Sequence, residues 1–354
     1  MFQKITQSQV QASEISFFLF LIAGFLLSYA IAPYTVYAAW VGFLFASYAA
    51  VANDSIQTIG TFIASNKQRP WWLLWIFIAG VFVCTTTYSW IVYSGDVTYE
   101  RLASKGFDTA PTSFSPLQIS LPLILILLTR LKMPVSTTFL LLTSFSTKAT
   151  AIGKVLSKSM MGYLLAFVIA MVVWSLASKW MKKIFVGTPS AIWTPLQWIT
   201  TGTLWSVWLM QDAANIAVYL PRQLNIIEFL LFLFPVVAGL GWMFYQGGER
   251  IQEIVDEKTE VVDIRSATVI DFVYAVILFY FKMHSQIPMS TTWVFLGLLG
   301  GREIAMSLQK TSDLTPKRAL YMMGRDGGLA LLGLIISFIC ALLVNDVMFE
   351  QFFG

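Results

Sequence analysis

Charge is scarce in this sequence: only 12% of the 354 residues are Asp, Glu, Lys or Arg, against 57% hydrophobic. Soluble proteins run to about a quarter charged, so a water-soluble globular domain is excluded. Histidine is nearly absent. His284, the only one, lies by a predicted helix end beside Ser285 and Gln286, where an interfacial role fits better than a proton relay. The two cysteines, Cys84 and Cys340, sit in separate apolar windows without a Cys-x-x-Cys or Cys/His grouping. They read as helix-packing residues, and no metal site follows from them. No Gly-rich phosphate loop and no His/Asp/Glu cluster stands out, so an enzyme is not expected and no cofactor is implied. A net charge of +4, evenly spread, gives no basis for binding nucleic acid.

What the chain has instead is long apolar runs, with mean hydropathy +0.71 and 13 Trp. Windows able to cross roughly 30 Å of hydrocarbon at 1.5 Å per helical residue fall at 16–33, 36–64, 71–94, 159–181, 193–224, 227–246 and 327–349. The expected class is an all-α polytopic protein of a lipid bilayer, the cell's inner membrane, because lipid-facing backbone must satisfy its own hydrogen bonds. Two further segments, 117–129 and 268–281, are shorter, and each is followed by Pro134 or Pro288 and another short apolar run. Proline disfavours helix in the residue before it and cannot close a helical hydrogen bond, so each pair reads as a re-entrant hairpin.

Four polar motifs interrupt this apolar background. Asn53-Asp54-Ser55-Ile56-Gln57 precedes Pro134-Val135-Ser136-Thr137-Thr138, and Gln211-Asp212-Ala213-Ala214-Asn215 precedes Pro288-Met289-Ser290-Thr291-Thr292. The carboxylates are 158 residues apart and the prolines 154, which marks an internal repeat. Counting each hairpin as no crossing leaves three crossings in 36–181 and three in 193–349. An odd number inverts the second copy relative to the first, and inverted repeats with broken helices are a transporter signature. Residues 1–35 form a separate segment with an extra helix; it ends in Ala30-Ile31-Ala32, which resembles a peptidase site, but the long leader and Glu14 favour a retained helix.

Asp54 is the only charge between Tyr37 and Ser65, and Asp212 the only one between Trp193 and Leu220. A carboxylate at the centre of a membrane helix costs about 2.5–3.5 kcal/mol even on the permissive insertion scale, and bound cations would compensate both. A helix broken at Asn53-Asp54 would also offer backbone carbonyls. The carboxamides of Asn53, Gln57, Gln211 and Asn215 can give oxygen to a cation or N–H to an anion. Ser136, Thr137, Thr138, Ser290, Thr291 and Thr292 stand at expected helix starts, where hydroxyls, free N–H groups and the helix dipole make a neutral anion cradle.

On these motifs the chain resembles the inorganic phosphate transporter family, whose Gly-x-Asn-Asp-x-x-Asn and Pro-x-Ser-Thr-Thr-like signatures occur once per inverted repeat. The resemblance spans 36–349 and implies a cation-coupled oxyanion symporter, with Asp54, Asp212 and the six hydroxyl residues around the anion. Sodium is the expected coupling ion, held by Asn53, Asp54, Gln57, Gln211, Asp212 and Asn215. Phe139 and Trp293 stand where the family has histidine, Gln57 and Gln211 replace Asn, and Ala52 and Met210 precede the carboxamides. This more apolar rim keeps sulfate and bicarbonate beside phosphate as substrates. A non-transporting receptor could use the same pocket, and a homodimer is compatible with it.

The remaining charge has simpler readings. Residues 95–115 and the run from Glu249 to Arg265 read as solvated loops. Lys179, Lys182 and Lys183 suggest a cytoplasmic helix end. Lys148 and Arg302 each lie ten residues after a Ser-Thr-Thr, where they read as interfacial charge that snorkels or as a cation guiding the anion at each membrane face. The hydroxyl and amide ring itself is expected to have no arginine.

Overall fold

The computed structural model describes residues 7–104, 106–131, 133–246 and 263–353. Every regular element among them is helical. In chain order they are α1 (Gln7–Ile31), α2 (Thr35–Ser65), α3 (Trp71–Val92), α4 (Pro116–Arg130), α5 (Thr137–Leu140), a 3-10 turn (Leu142–Phe145), α6 (Ala149–Ile184), α7 (Trp193–Ala217), α8 (Ile226–Tyr245), α9 (Ile264–His284), α10 (Thr291–Leu308), α11 (Pro316–Val344) and α12 (Asp346–Phe353). Seven of the described helices are long and apolar enough to cross a membrane, which makes this a multi-pass membrane protein. Residues 249–262 of the expected run from Glu249 to Arg265 lie outside the described residues; at its end Asp263 caps α9 by accepting from Arg265 N at 2.8 Å.

Large aliphatic side chains cover much of the outer surface, and small residues line parts of the helix contacts. On α6, Leu164, Val168, Val172 and Leu176 are exposed, while Gly162, Ala166, Ala170 and Ser178 are buried. Small inward residues let helices approach closely where lipid gives no hydrophobic drive to associate. α6 and α10 approach closely. A Cβ on Gly297 would lie 2.2 Å from the carbonyl oxygen of Tyr163, and one on Gly301 2.3 Å from that of Phe167.

Two expectations about the helices need correction. Both α2 and α7 run unbroken through their motifs, Asp54 lying inside Thr35–Ser65 and Asp212 inside Trp193–Ala217. Asn and Asp favour helix caps when their side chains bond nearby backbone; here they bond side chains and the distant Val135 carbonyl, so they do not compete with the helix ladder. The segment read as 268–281 is a full 21-residue helix, α9. It is followed by 18-residue α10, whereas Pro134 is followed only by one turn of α5 and the 3-10 turn. Of the two segments read as short, only α4, at 15 residues and about 22 Å, is short for a crossing.

α2 and α7 form the centre. α2 packs on α4, α7, α8 and α9, and α7 on α3 and α9. α7 is long enough to cross yet is not among the seven apolar spans, because Gln197, Thr201, Gln211, Asp212 and Asn215 turn into the protein. At the periphery α1 packs on α4, fastened where Arg130 pairs with Glu14 at 2.6 Å and lies 4.0 Å over the Phe17 ring. Cys340 is buried, but Cys84 faces outward, so only the former packs between helices. His284 ends α9 exposed, its Nδ1 2.8 Å from the Tyr280 carbonyl oxygen.

Candidate functional site

The two Ser-Thr-Thr motifs begin helices in the same way. Ser136 caps α5 by accepting from Phe139 N at 3.3 Å, and Ser290 caps α10 by accepting from Trp293 N at 3.3 Å. The capped residues, Phe139 and Trp293, touch each other edge to face with ring centroids 5.5 Å apart. The two helix starts therefore face one another, with the carboxylates of α2 and α7 alongside.

On the first side, Thr137 donates its hydroxyl to Asp54 Oδ2, and Asn53 Nδ2 donates to Asp54 Oδ1 at 2.7 Å. Asn53 also donates to the Val135 carbonyl at 3.4 Å and accepts from Thr129 Oγ1 at 3.2 Å. On the second side, Asn215 Nδ2 donates to Asp212 Oδ1 at 2.5 Å and to Thr138 Oγ1 at 3.2 Å. Thr138 in turn donates to the Met289 carbonyl at 3.2 Å. Thr138 thus belongs to the first motif and bonds the second, joining the halves. Thr291 stands beside Asp212, and Asp54 and Asp212 are near enough for their charges to repel.

Of the twelve residues expected in the site, all but half-buried Gln57 are buried. Burial without water leaves polar atoms in need of partners. Three oxygens of the second motif lack a donor among the described residues: Gln211 Oε1, Asp212 Oδ2 and Asn215 Oδ1. The amide ends of Gln211 and Asn215 are fixed by donating to Leu278 O, at 3.0 Å, and to Asp212, so these oxygens are held as acceptors.

Several site residues were not anticipated. Tyr274 on α9 donates to the Thr291 carbonyl at 3.0 Å, and Ser159 on α6 accepts from Ser290 N at 2.8 Å. Asp271, also on α9, is buried and accepts from Thr61 Oγ1 at 2.7 Å and Thr201 Oγ1 at 2.5 Å, two turns along α2 from Asp54. It is a lone carboxylate in an apolar window, the signal that singles out Asp54 and Asp212.

The 95–115 loop is not a solvated loop. Val97, Thr98, Tyr99, Arg101, Leu102 and Phe107 are buried. Arg101 is 0% exposed and donates through Nε to the Met210 carbonyl at 3.2 Å and through Nη1 to the carbonyls of Ser285 and, at 3.4 Å, Ile287. Arg101 bonds no side chain of the ring, but it stands beside it, on backbone just before both second-half motifs. Burial pulls its pKa down to about 10, with Asp212 opposing, and it stays charged at neutral pH. Lys148 and Arg302 are not a matched pair. Lys148 is exposed at the start of α6, whereas Arg302 is buried in α10 and pairs with Glu303, so it does not snorkel.

No protein-family model, curated protein or solved structure matches the chain.

Proposed function

We propose that this protein is a secondary transporter that carries a small inorganic oxyanion, phosphate first, together with sodium. The observation that carries the reading is the set of three donor-less oxygens, Gln211 Oε1, Asp212 Oδ2 and Asn215 Oδ1, beside a hydroxyl-capped helix start. Buried acceptors without donors call for a cation, and the free N–H groups of the first turn of α10 call for an anion. Two buried carboxylates would repel an anion unless cations load with it, which couples the two fluxes. Among the described residues no three of His, Cys, Asp and Glu come together. A cation here would use two amide oxygens and one carboxylate oxygen, a hard oxygen set that suits sodium.

The inverted-repeat reading is part of this proposal. Helix contacts come in matched pairs under exchange of the halves: α2 with α4 and α7 with α9, α3 with α7 and α8 with α2, α6 with α10 and α11 with α5. A pseudo-two-fold axis would bring Phe139 against Trp293, the contact observed. The halves 36–181 and 193–349 would then rock about the Asp54 and Asp212 pair, opening it to each side in turn. In this frame α4, Pro134 and α5 make a re-entrant hairpin, while α9 and α10 are its longer counterpart.

The test is uptake by proteoliposomes containing Asp54→Ala or Asp212→Ala protein that elutes as the wild type does on size exclusion. Each variant should lose uptake of labelled phosphate. Full activity in either would remove the assignment.

A further inference from the structure

Arg101 is brought to its place by a loop built for the purpose. Asp96 gathers the turn, accepting from Thr98 N and Glu100 N at 2.7 Å each, while Tyr99 N bonds Ser89 Oγ at 3.0 Å and Tyr99 OH bonds the Thr85 carbonyl at 2.7 Å. Tyr99 and Glu100 both take left-handed backbone, φ 55° and 61°, conformations that cost energy in non-glycine residues. These bonds hold the turn against that cost and direct the next residue, Arg101, into the protein. There its guanidinium has one group left over: Nη2 is buried and has no partner among the described residues.

Two lysines converge on the same spot. Lys158 of α6 donates to the carbonyls of Ile287 and, at 3.3 Å, Ser285, the oxygens that Arg101 also bonds. Lys282 of α9 donates to Gln286 Oε1 at 3.2 Å and to the Tyr99 carbonyl at 3.3 Å. Capping the end of α9 explains a cation there, since helix C-termini carry partial negative charge. It does not explain three cations, nor a buried guanidinium N–H aimed at no carbonyl. A planar guanidinium with a free donor beside an ammonium is the arrangement that holds a tetrahedral oxyanion.

We propose that Arg101, Lys158 and Lys282 form an oxyanion-holding site at the mouth of the second half, between the Ser285–Ile287 turn and Met210, from which the anion passes to the hydroxyl ring. Its ligand class is a small dianion such as phosphate or sulfate, selected by charge. The inference rests on the oxyanion reading of the ring and adds a second, charged site to it. Lys158 and Lys282 are half-buried, so the site opens to one side of the membrane, the side that carries the 95–115 loop.

The experiment is phosphate uptake by sided proteoliposomes, with KM and maximal rate measured from each face, for wild type, Arg101→Gln, Arg101→Lys and Lys158→Gln. From the loop side, Arg101→Gln and Lys158→Gln should each raise KM ~10-fold or more and flatten its dependence on ionic strength. Maximal rate should change less than about twofold, as should KM from the other face. Arg101→Lys should recover part of the loss. Unchanged KM from the loop side in Lys158→Gln, or equal losses from both faces, would overturn the site; Lys158→Gln decides the matter should Arg101→Gln fail to fold. Titration of detergent-solubilised protein with inorganic phosphate separates the two readings. Wild type that binds phosphate at Arg101 but accumulates none would sink transport and keep the site, whereas transport with unaltered variants would sink the site alone.

Discussion

Replacing Thr137 by valine asks whether Asp54 is held in readiness for a cation. Valine keeps the branched shape and removes one hydroxyl, and with Thr137 2% and Asp54 3% exposed, bulk water has no ready access to replace it. A hydrogen bond to a charged acceptor is worth about 1.5–3 kcal/mol. At tenfold per 1.4 kcal/mol, the sodium concentration for half-maximal uptake should rise roughly 10- to 150-fold if the loss falls on the loaded state. The fold should lose less, because α5 keeps its Ser136 cap at 3.3 Å and Asp54 keeps its Asn53 bond at 2.7 Å. The assay is phosphate uptake against sodium concentration, with melting temperature in detergent as the check on folding. Thr137→Ser, which retains the hydroxyl, should restore the wild-type curve. A sodium curve for Thr137→Val that overlays the wild type, or a Thr137→Ser variant as defective as Thr137→Val, would refute the reasoning.

Other outcomes are expected from the same geometry. Gly297→Ala should lower the melting temperature, since its Cβ would lie 2.2 Å from the Tyr163 carbonyl oxygen and overpacking of this kind costs about 1–3 kcal/mol; Gly153→Ala, which meets nothing within 4 Å, should be neutral or stabilising. Asn215→Leu removes bonds to both Asp212 and Thr138, and should abolish measurable sodium dependence while the Thr129→Val variant, which loses a bond to Asn53 and one to the Leu125 carbonyl, retains it. Glu14→Gln weakens a partly exposed ion pair between α1 and α4 and should leave uptake unchanged, with a loss of stability below about 1 kcal/mol. Excess sulfate should compete poorly with labelled phosphate at the ring, because phosphate near neutral pH keeps a hydroxyl proton for Asp54 or Asp212 to accept and sulfate has none; strong inhibition with weak phosphate uptake would move the substrate to sulfate.

The residues most legible in the sequence were those whose cost is local. A lone carboxylate in an apolar window needs compensation wherever it lies, which singles out Asp54 and Asp212, and a Pro-x-Ser-Thr-Thr run foretells the Ser136 and Ser290 caps. Asp271 meets the same criterion, but a window read as half a hairpin hides it. That window looked short because Arg265 and Asp271 dilute one end and Lys282 and His284 the other; the helix itself runs the full 21 residues. The break expected at Asn53-Asp54 does not occur: Thr137 and Asn53 satisfy the Asp54 carboxylate through side chains, leaving the helical backbone intact.

Arg101 was the least legible. Its surroundings, Asp96, Glu100 and Asp108, have the composition of a solvated loop, and nothing within the loop says that it folds inward. Its partners are Met210 and Ser285, 109 and 184 residues away in sequence, so its burial is a tertiary fact. The same holds for Thr138 and Asn215, whose bond joins the halves over 77 residues. Pattern and propensity can nominate such residues but cannot pair them.

The decisive measurement is accumulation of labelled phosphate inside proteoliposomes that start with equal phosphate on both sides and an inward sodium gradient at fixed pH. The account predicts that phosphate rises above its external concentration, that the rise collapses when choline replaces sodium, and that Asp54→Ala and Asp212→Ala vesicles show none. Equilibration without accumulation, or accumulation indifferent to sodium, would contradict it.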